Sequence, residues 1–302
     1  MSYYNNYPLI SVIIPSFNQG DYIEDTILSV IGQQYPNLEI IIIDGGSTDN
    51  TIEIIQKYSE HIKYWHSCKD QGQADAINQG MKLSSGEVLC WLNSDDMYLP
   101  GTLLDIGKRF MGRTNQHLLV YGAAVTIQET SENLRSGSQI PSSIDAFTLT
   151  YKDPIVQPST FWTRKLWEAT GELNINYNYV LDWDWFIRAS RMGKFEHVSK
   201  FYSVYRFHPE HKTGNGGIDR QKEILEIVRN YSSKYWIDLY NYVYENCSQI
   251  KTFLQRCQRL RVFKILDKFN FKPQHLVIVL FFPYLRGKLN NMEDLRTVLI
   301  ML

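Results

Sequence analysis

Cys90-Trp91-Leu92-Asn93-Ser94-Asp95-Asp96 begins as an apolar run and ends in two adjacent carboxylates. Adjacent like charges repel, so a fold gains nothing from the pair unless a cation stands beside it. Two carboxylates at the C-terminal end of a buried strand are where a hard divalent cation is held against a phosphorylated ligand. An acidic turn, followed closely by Pro100-Gly101, explains the same letters. Both readings stand on this stretch alone; its neighbours in the chain separate them.

Upstream, Leu9 to Ile14 is rich in β-branched residues and reads as a strand stopped by Pro15. After the polar Ser16-Phe17-Asn18-Gln19-Gly20-Asp21, the spacing of Ile23, Ile27, Val30 and Ile31 predicts a helix. Leu38-Glu39-Ile40-Ile41-Ile42-Ile43-Asp44 is apolar enough for a strand covered on both faces, as in a parallel sheet. Gly45-Gly46-Ser47-Thr48-Asp49 turns into a helix that carries Ile52, Ile55 and Tyr58 inward. Ile62 to His66 is a third strand, and Ala74, Ile77 and Met81 mark the helix after it. Gly86 then starts the strand that ends in Asp95-Asp96. This alternation predicts a doubly wound α/β sheet with right-handed crossovers. Ligands in such sheets bind beyond the carboxyl ends of the strands, where Asp44 and Asp95 would converge.

Composition narrows the class. The 302 residues suffice for one large or two ordinary domains, with 44% hydrophobic and 21% charged residues. A net charge of −1 gives no support for nucleic-acid binding. Cys68, Cys90, Cys247 and Cys257 form no CxxC pair and read as reduced thiols. Met1 to Pro8 lacks a basic-then-apolar signal pattern, so a cytoplasmic location is expected. No run reaches the roughly 18 apolar residues of a membrane span. There is no G-x-G-x-x-G, and Gly101 to Gly107-Lys108 has the wrong spacing for a P-loop, within a segment (102–110) patterned as an amphipathic helix.

Five stretches, in order, resemble family 2 glycosyltransferases of the GT-A fold. They are Ser11 to Asn18, Asp44 to Thr51, Asp70 to Gly80, Gly86 to Asp96, and the pair Gln157 to Phe161 with Leu181 to Asp184. The resemblance covers roughly residues 9–215. It implies a Rossmann-like, mostly parallel sheet flanked by helices. It also implies a metal-dependent, inverting transfer of a sugar from a nucleotide-diphospho-sugar, with UDP as the default, to an acceptor hydroxyl. In such enzymes Pro15, Ser16 and Asn18 would cradle base and ribose, and Asp44 would bind the base. Many members carry a second Asp after it, where this chain has Gly45. Asp70, Asp75 and Asn78 would help hold nucleotide and donor sugar, although a capped helix with a polar face explains the same residues.

Asn93-Ser94-Asp95 stands at the family's Asp-x-Asp position with Asn first. The implied Mg²⁺ or Mn²⁺ would therefore rest on Asp95, with Asp96 beside it. Asp182, in Asp182-Trp183-Asp184, would be the general base, with Asp184 supporting; acidic residues also suit a helix N-terminus. A helix with Trp185, Phe186, Ala189 and Met192 inward is expected there. Arg206-Phe207-His208 resembles the family's Arg-x-His loop: Arg206 and Lys212 would contact phosphate and His208 the metal, with glycines making a lid. Leu118 to Ile127 is a strand, 128–141 a loop, and Phe201 to Arg206 a further strand. Asp153 to Pro158 would frame the acceptor side, and Trp162 and Trp167 would stack on a sugar or pack in the core.

Residues 1–217 are thus expected to form the catalytic domain and 218–302 a helical extension. Lys251, Arg256, Arg259, Arg261, Lys264, Lys268 and Lys272 make a basic stretch beside apolar Ile250, Phe253, Leu254, Cys257 and Leu260, with Leu276 to Leu285 after it. This fits a peripheral anchor on the inner membrane face through 247–302, or a helix packed on the catalytic domain. The expected partners are a nucleotide-sugar and a glycan or lipid-linked acceptor in surface-polysaccharide assembly. Two other functions share the pattern: a degenerate, non-catalytic GT-A binding protein, and a sugar-phosphate nucleotidyltransferase. The latter should carry a Gly-rich loop with Arg and Lys after the first strand, which Pro15 to Asp21 lacks.

Overall fold

The computed structural model describes residues 7–129, 134–139, 143–209 and 211–246, with 249, 252, 294, 297 and 298. The chain divides into two compact units: Met1–Leu149 with Asp153–Gly217, and Thr150–Lys152 with Ile218–Leu302.

The first unit is built on one sheet. Its strands are β1 (Ile10–Ser16), β2 (Leu38–Asp44), β3 (Tyr64–Ser67), β4 (Val88–Trp91), β5 (Met97–Tyr98), β6 (Leu118–Glu129), β7 (Leu134–Gln139), β8 (Thr160–Thr163) and β9 (Lys194–Phe207). Its helices are α1 (Ile23–Ile31), α2 (Thr51–Lys57), α3 (Gln73–Leu83), α4 (Thr102–Phe110), α5 (Ala146–Leu149), α6 (Arg164–Thr170), α7 (Leu181–Met192) and α8 (Lys212–Asn215). The strand order is β3-β2-β1-β4-β8-β6-β9-β5, with β7 on β6. β3, β2, β1 and β4 run parallel. β8 then joins antiparallel to both β4 and β6, so the sheet is mixed beyond β4.

The parallel half follows from composition. β1 is buried along its whole length and β2 over all but its first residue, as continuous apolar strands require. Ile23, Ile27 and Val30 of α1 pack with Ile10, Val12 and Ile14 of β1 in the main core. Leu103, Ile106 and Phe110 of α4 join the same core, so 102–110 is the amphipathic helix its pattern predicts. Gly107 serves close packing: a side chain there would collide with the Tyr35 ring.

Several expectations need correction. Pro15 does not stop β1, which continues to Ser16. The β4 ladder ends at Ile13 opposite Trp91, so no strand partner needs the N–H that Pro15 lacks. The stretch 128–141 is not only loop, because β7 pairs along β6 from Ala124–Gln139 to Glu129–Leu134. Its sequence, Leu-Arg-Ser-Gly-Ser-Gln, carries no apolar alternation to announce a strand. β9 begins at Lys194 rather than Phe201, because its polar first half pairs parallel with Leu118–Tyr121. Met192 is half exposed, in the last turn of α7, while Trp185, Phe186 and Ala189 are buried as expected. Trp162 and Trp167 are core residues, buried in an aromatic cluster with Trp185.

The second unit carries α9 (from Gly217 to Tyr231) and α10 (Lys234–Glu245). It grips residues 150–152: the Tyr151 ring stacks on Trp236 at 3.8 Å, and Tyr240 donates its hydroxyl to the Tyr151 carbonyl at 2.6 Å. The basic residues from Lys251 to Lys272, their apolar neighbours and Leu276 to Leu285 lie outside the described residues. Among the described residues no helix is long and apolar enough to cross a membrane.

Candidate active site

The parallel strands end along one edge. β2 lies on one side of β1 and β4 on the other, so the order reverses at β1, where open α/β sheets form their ligand crevice. Three loops meet this edge, after β1, β2 and β4.

The turn after β4 is fixed from α1. Thr26 donates its hydroxyl to the carbonyls of Ser94 (2.9 Å) and Asp96 (2.7 Å), and Ser94 is itself buried. With the backbone held, the adjacent carboxylates point to different places. Asp95 Oδ2 accepts from His208 Nε2 at 3.1 Å. The His208 side chain is 1% exposed, and its Nδ1 is buried without a partner. Asp96 turns inward, is fully buried, and accepts the Arg206 backbone N–H at 3.1 Å. Burial, then the Asp95 charge, pushes the Asp96 carboxyl well above the usual carboxylate range. Asp96, expected beside Asp95 at the metal, thus bonds the β9 backbone, while Asp95 meets His208.

Arg206 lies under this turn. Its guanidinium donates to Asp25 Oδ2 at 3.0 Å and stands 5.1 Å over the Tyr22 ring, while its Nε is buried without a partner. Tyr22 also packs on His208, with ring centroids 4.2 Å apart. β9 thus delivers Arg206 and His208 to the end of β4, across more than a hundred residues of chain. Next in the loop, His211 is buried against Tyr205 and Phe207, and burial lowers its pKa.

Asn93 is held by a residue the sequence reading missed. Gln73, the first residue of α3, donates Nε2 to Asn93 Oδ1 at 2.8 Å and accepts Lys212 Nζ on Oε1 at 2.9 Å. Lys212, expected on phosphate, is thereby tied to α3 and lies 6.0 Å from the Tyr179 ring centre. Gln157 donates to the Trp91 carbonyl at 2.9 Å and reaches Asn93 with its oxygen. Both glutamines lie in recognised stretches, Gln73 at a helix start and Gln157 next to Pro158, but no pattern assigns either a role.

On the β1 and β2 side, Ser16 is buried and its hydroxyl has no partner. Asn18, at φ 50°, accepts the Thr48 N–H at 2.9 Å and donates its own to Ser47 Oγ at 2.7 Å, tying the two loops together. Asp44 is fully buried and accepts from Gly46 N, Ser47 N, Ser47 Oγ and Ser67 Oγ at 2.5–3.0 Å. Asp70 accepts the Gly72 N–H at 2.8 Å. Asp75 accepts from Gln71 N and Gln79 Nε2, both at 3.0 Å, and so organises the start of α3. Asn78 is buried with both ends of its carboxamide on the Leu173 backbone, at 2.9 Å each, which makes it a strut between α3 and residue 173 and not a donor contact.

Asp182 stands in the first turn of α7, half-buried, and accepts the Trp183 N–H at 2.8 Å. Asp184 is paired with Arg188 at 2.9 Å. Arg188 also donates to the carbonyls of Thr170 and Glu172, so Asp184 anchors the loop before α7.

Residues 11–169 match the family described as Glycosyl transferase family 2. A PGL/p-HBAD biosynthesis glycosyltransferase of Mycobacterium bovis is 32% identical over 186 residues, covering 60% of this chain and 70% of that protein. A chondroitin synthase of Pasteurella multocida is 27% identical over 97% of this chain, which spans only 31% of that protein. Among solved structures, S. aureus TarS 1-349 in complex with UDP superposes with a TM-score of 0.56 at 18% identity, covering 96% of this chain and 90% of that one. The mannosyltransferase PcManGT from Pyrobaculum calidifontis, in complex with GDP-Man and Mn²⁺, gives 0.57 at 16% identity, covering 98% and 87%. At such identities the structures speak for the fold, which is the GT-A fold. With more than half of its length inside the family match, and with curated glycosyltransferases among its relatives, the chain belongs to glycosyl transferase family 2 and is a glycosyltransferase.

Proposed function

We propose that the crevice beyond β1, β2 and β4 binds a nucleotide-diphospho-sugar, with a UDP-sugar first and a GDP-sugar second, and transfers its sugar to an acceptor hydroxyl with inversion. Residues 1–217 would carry this activity and 218–302 would form the helical extension. The observation that carries the reading is the Asp95–His208 pair at the end of β4, 3.1 Å apart, beside the buried Arg206. TarS with UDP and PcManGT with GDP-Man and Mn²⁺ lend support by analogy.

The pair fits a divalent cation. A carboxylate oxygen and an imidazole nitrogen suit Mg²⁺ or Mn²⁺ when ligand oxygens complete the shell. Completion from outside is needed, because no group of three or more His, Cys, Asp or Glu that would hold a metal occurs among the described residues. His208 Nε2, which faces the Asp95 carboxylate, is the ring nitrogen that would meet the metal. When bound, such a cation neutralises the departing diphosphate. Arg206 adds a fixed positive charge behind the same place. The orphan Ser16 hydroxyl, at the end of β1, would bond the nucleoside, and Asn18 would hold the loop that shapes its pocket.

Transfer then needs a proton acceptor. The acceptor oxygen forms a bond to the anomeric carbon while the bond from that carbon to the diphosphate oxygen breaks. The electron pair leaves with the nucleoside diphosphate, and the hydroxyl proton passes to the Asp182 carboxylate. The setting would be assembly of a surface polysaccharide or lipid-linked glycan at the inner membrane face.

Thermal denaturation tests the donor site. At about a hundred times Kd, a ligand stabilises by about 2.7 kcal/mol. UDP or GDP is expected to raise Tm only when Mn²⁺ or Mg²⁺ is present, and Asp95→Asn is expected to remove the metal-dependent part. No shift with any nucleoside diphosphate and either metal would overturn the reading.

A further inference from the structure

Gly45 and Asp70 share one space. A Cβ on Gly45 would stand 3.1 Å from Asp70 Oδ2 and 3.2 Å from Oδ1. The Asp70 carboxylate therefore fills the volume that a side chain at position 45 would occupy, at the carboxyl end of β2. It arrives from the loop between β3 and α3, steadied through Oδ1 by the Gly72 N–H. Oδ2 accepts no hydrogen bond from another described residue.

Asp44, the neighbouring carboxylate, is fully buried and already accepts four hydrogen bonds, three from the turn after β2 and one from Ser67 of β3. Asp70 is different. Burial, with Asp75 and Asp44 nearby, raises its carboxyl above the usual range, so its charged form lacks the donors that a ligand would bring.

The place along the edge indicates which part of the ligand meets it. The diphosphate end lies at β4, with Asp95 and His208. The order β4-β1-β2 sets Gly45 and Asp70 two strands away, about 10 Å at ordinary strand spacing. A nucleoside diphosphate anchored at β4 and laid along this edge brings its base there.

We propose that Asp70 reads the donor's base, accepting through Oδ2 the ring N–H of a base that carries one beside a carbonyl, as uracil and guanine do, and that Gly45 makes room for it. Adenine and cytosine turn an unprotonated ring nitrogen toward the same oxygen, and two acceptors repel. The inference rests on the reading of the crevice as the donor site.

Calorimetric titration of the full chain with UDP, GDP, CDP and ADP in Mn²⁺ tests it. The parent is expected to favour UDP or GDP over CDP and ADP by about 10–100-fold, the range for a hydrogen bond to a charged group. Asp70→Asn keeps an oxygen for the Gly72 N–H and is expected to lose most of that preference. Gly45→Asp, at a backbone position outside the left-handed region, is expected to weaken UDP and GDP because two carboxylates then compete for one space. Asp70→Gly combined with Gly45→Asp returns one carboxylate to that space and is expected to recover the preference. The proposal is overturned if Asp70→Asn keeps the parent's preference or weakens all four nucleotides by one factor. It is also overturned if the folded double variant discriminates no better than Asp70→Gly. A parent that binds none of the four overturns the donor-site reading, and this inference with it.

Discussion

Asp182→Asn is expected to lower sugar transfer by about 10²–10⁴-fold, the usual contribution of a positioned general base. Nucleotide binding should stay within about twofold, because the proposed donor contacts lie on other elements. The substitution suits the question. Asn keeps an oxygen for the Trp183 N–H, which Asp182 accepts at 2.8 Å, so the first turn of α7 should stay formed. What is lost is the capacity to take a proton. Neighbouring Asp184 cannot replace it, because its carboxylate is bound by Arg188, whose other nitrogens hold two carbonyls of the preceding loop. Initial rates at saturating donor, beside the UDP affinity of the same protein, separate the two effects. Transfer at the parent rate would remove Asp182 from the chemistry, and equal losses in rate and affinity would make it a binding residue.

Trp162→Ala is expected to cost about 3–5 kcal/mol of stability, as large-to-small changes at buried aromatics do. That is a large part of the roughly 5–15 kcal/mol by which domains are stable. Trp162 is fully buried, with ring centroids 5.3 Å from Trp91 and 4.8 Å from Trp185. It also joins two ladders, opposite Leu89 of β4 and Leu119 of β6. Trp162→Phe should cost much less, because the indole N–H is buried without a partner and leaves with the ring. Urea unfolding measures both. A midpoint for Trp162→Ala equal to the parent's would contradict the core assignment. The loss should also reach the site, since Trp91 ends β4 two residues before Asn93.

The parallel half of the sheet was legible because β1 and β2 are unbroken apolar runs and their helices show clear periodicity. The mixed half was harder. β7 is polar throughout, and the first half of β9 reads Lys-Phe-Glu-His-Val-Ser-Lys, so their pairing partners and not their composition make them strands. Within the site, spacing alone could not say which of Asp95 and Asp96 faces the crevice. The two lie in a turn closed by the Asp96 N–H on the Asn93 carbonyl, and the Thr26 bonds and the Arg206 backbone N–H settle the sense. Asn78 reads equally as a donor contact or as the polar face of a helix, and only the fold shows Leu173, ninety-five residues away, taking both ends of its carboxamide. Gln73 lies in a recognised stretch but its role was not legible, because its partners, Asn93 and Lys212, come from different loops. His208 was found through a family pattern and not through its spacing to His211.

Consumption of a nucleotide-sugar by the isolated chain tests the central claim most directly. UDP- and GDP-sugars are incubated with the parent protein in Mn²⁺ or in EDTA, with and without a mixture of glycan acceptors, and release of the nucleoside diphosphate is followed. The expected result is release from at least one donor, faster with acceptor and lost in EDTA. A folded protein that binds UDP or GDP yet releases diphosphate from no donor, with either metal and any acceptor, would contradict it and favour a binding protein on the same fold.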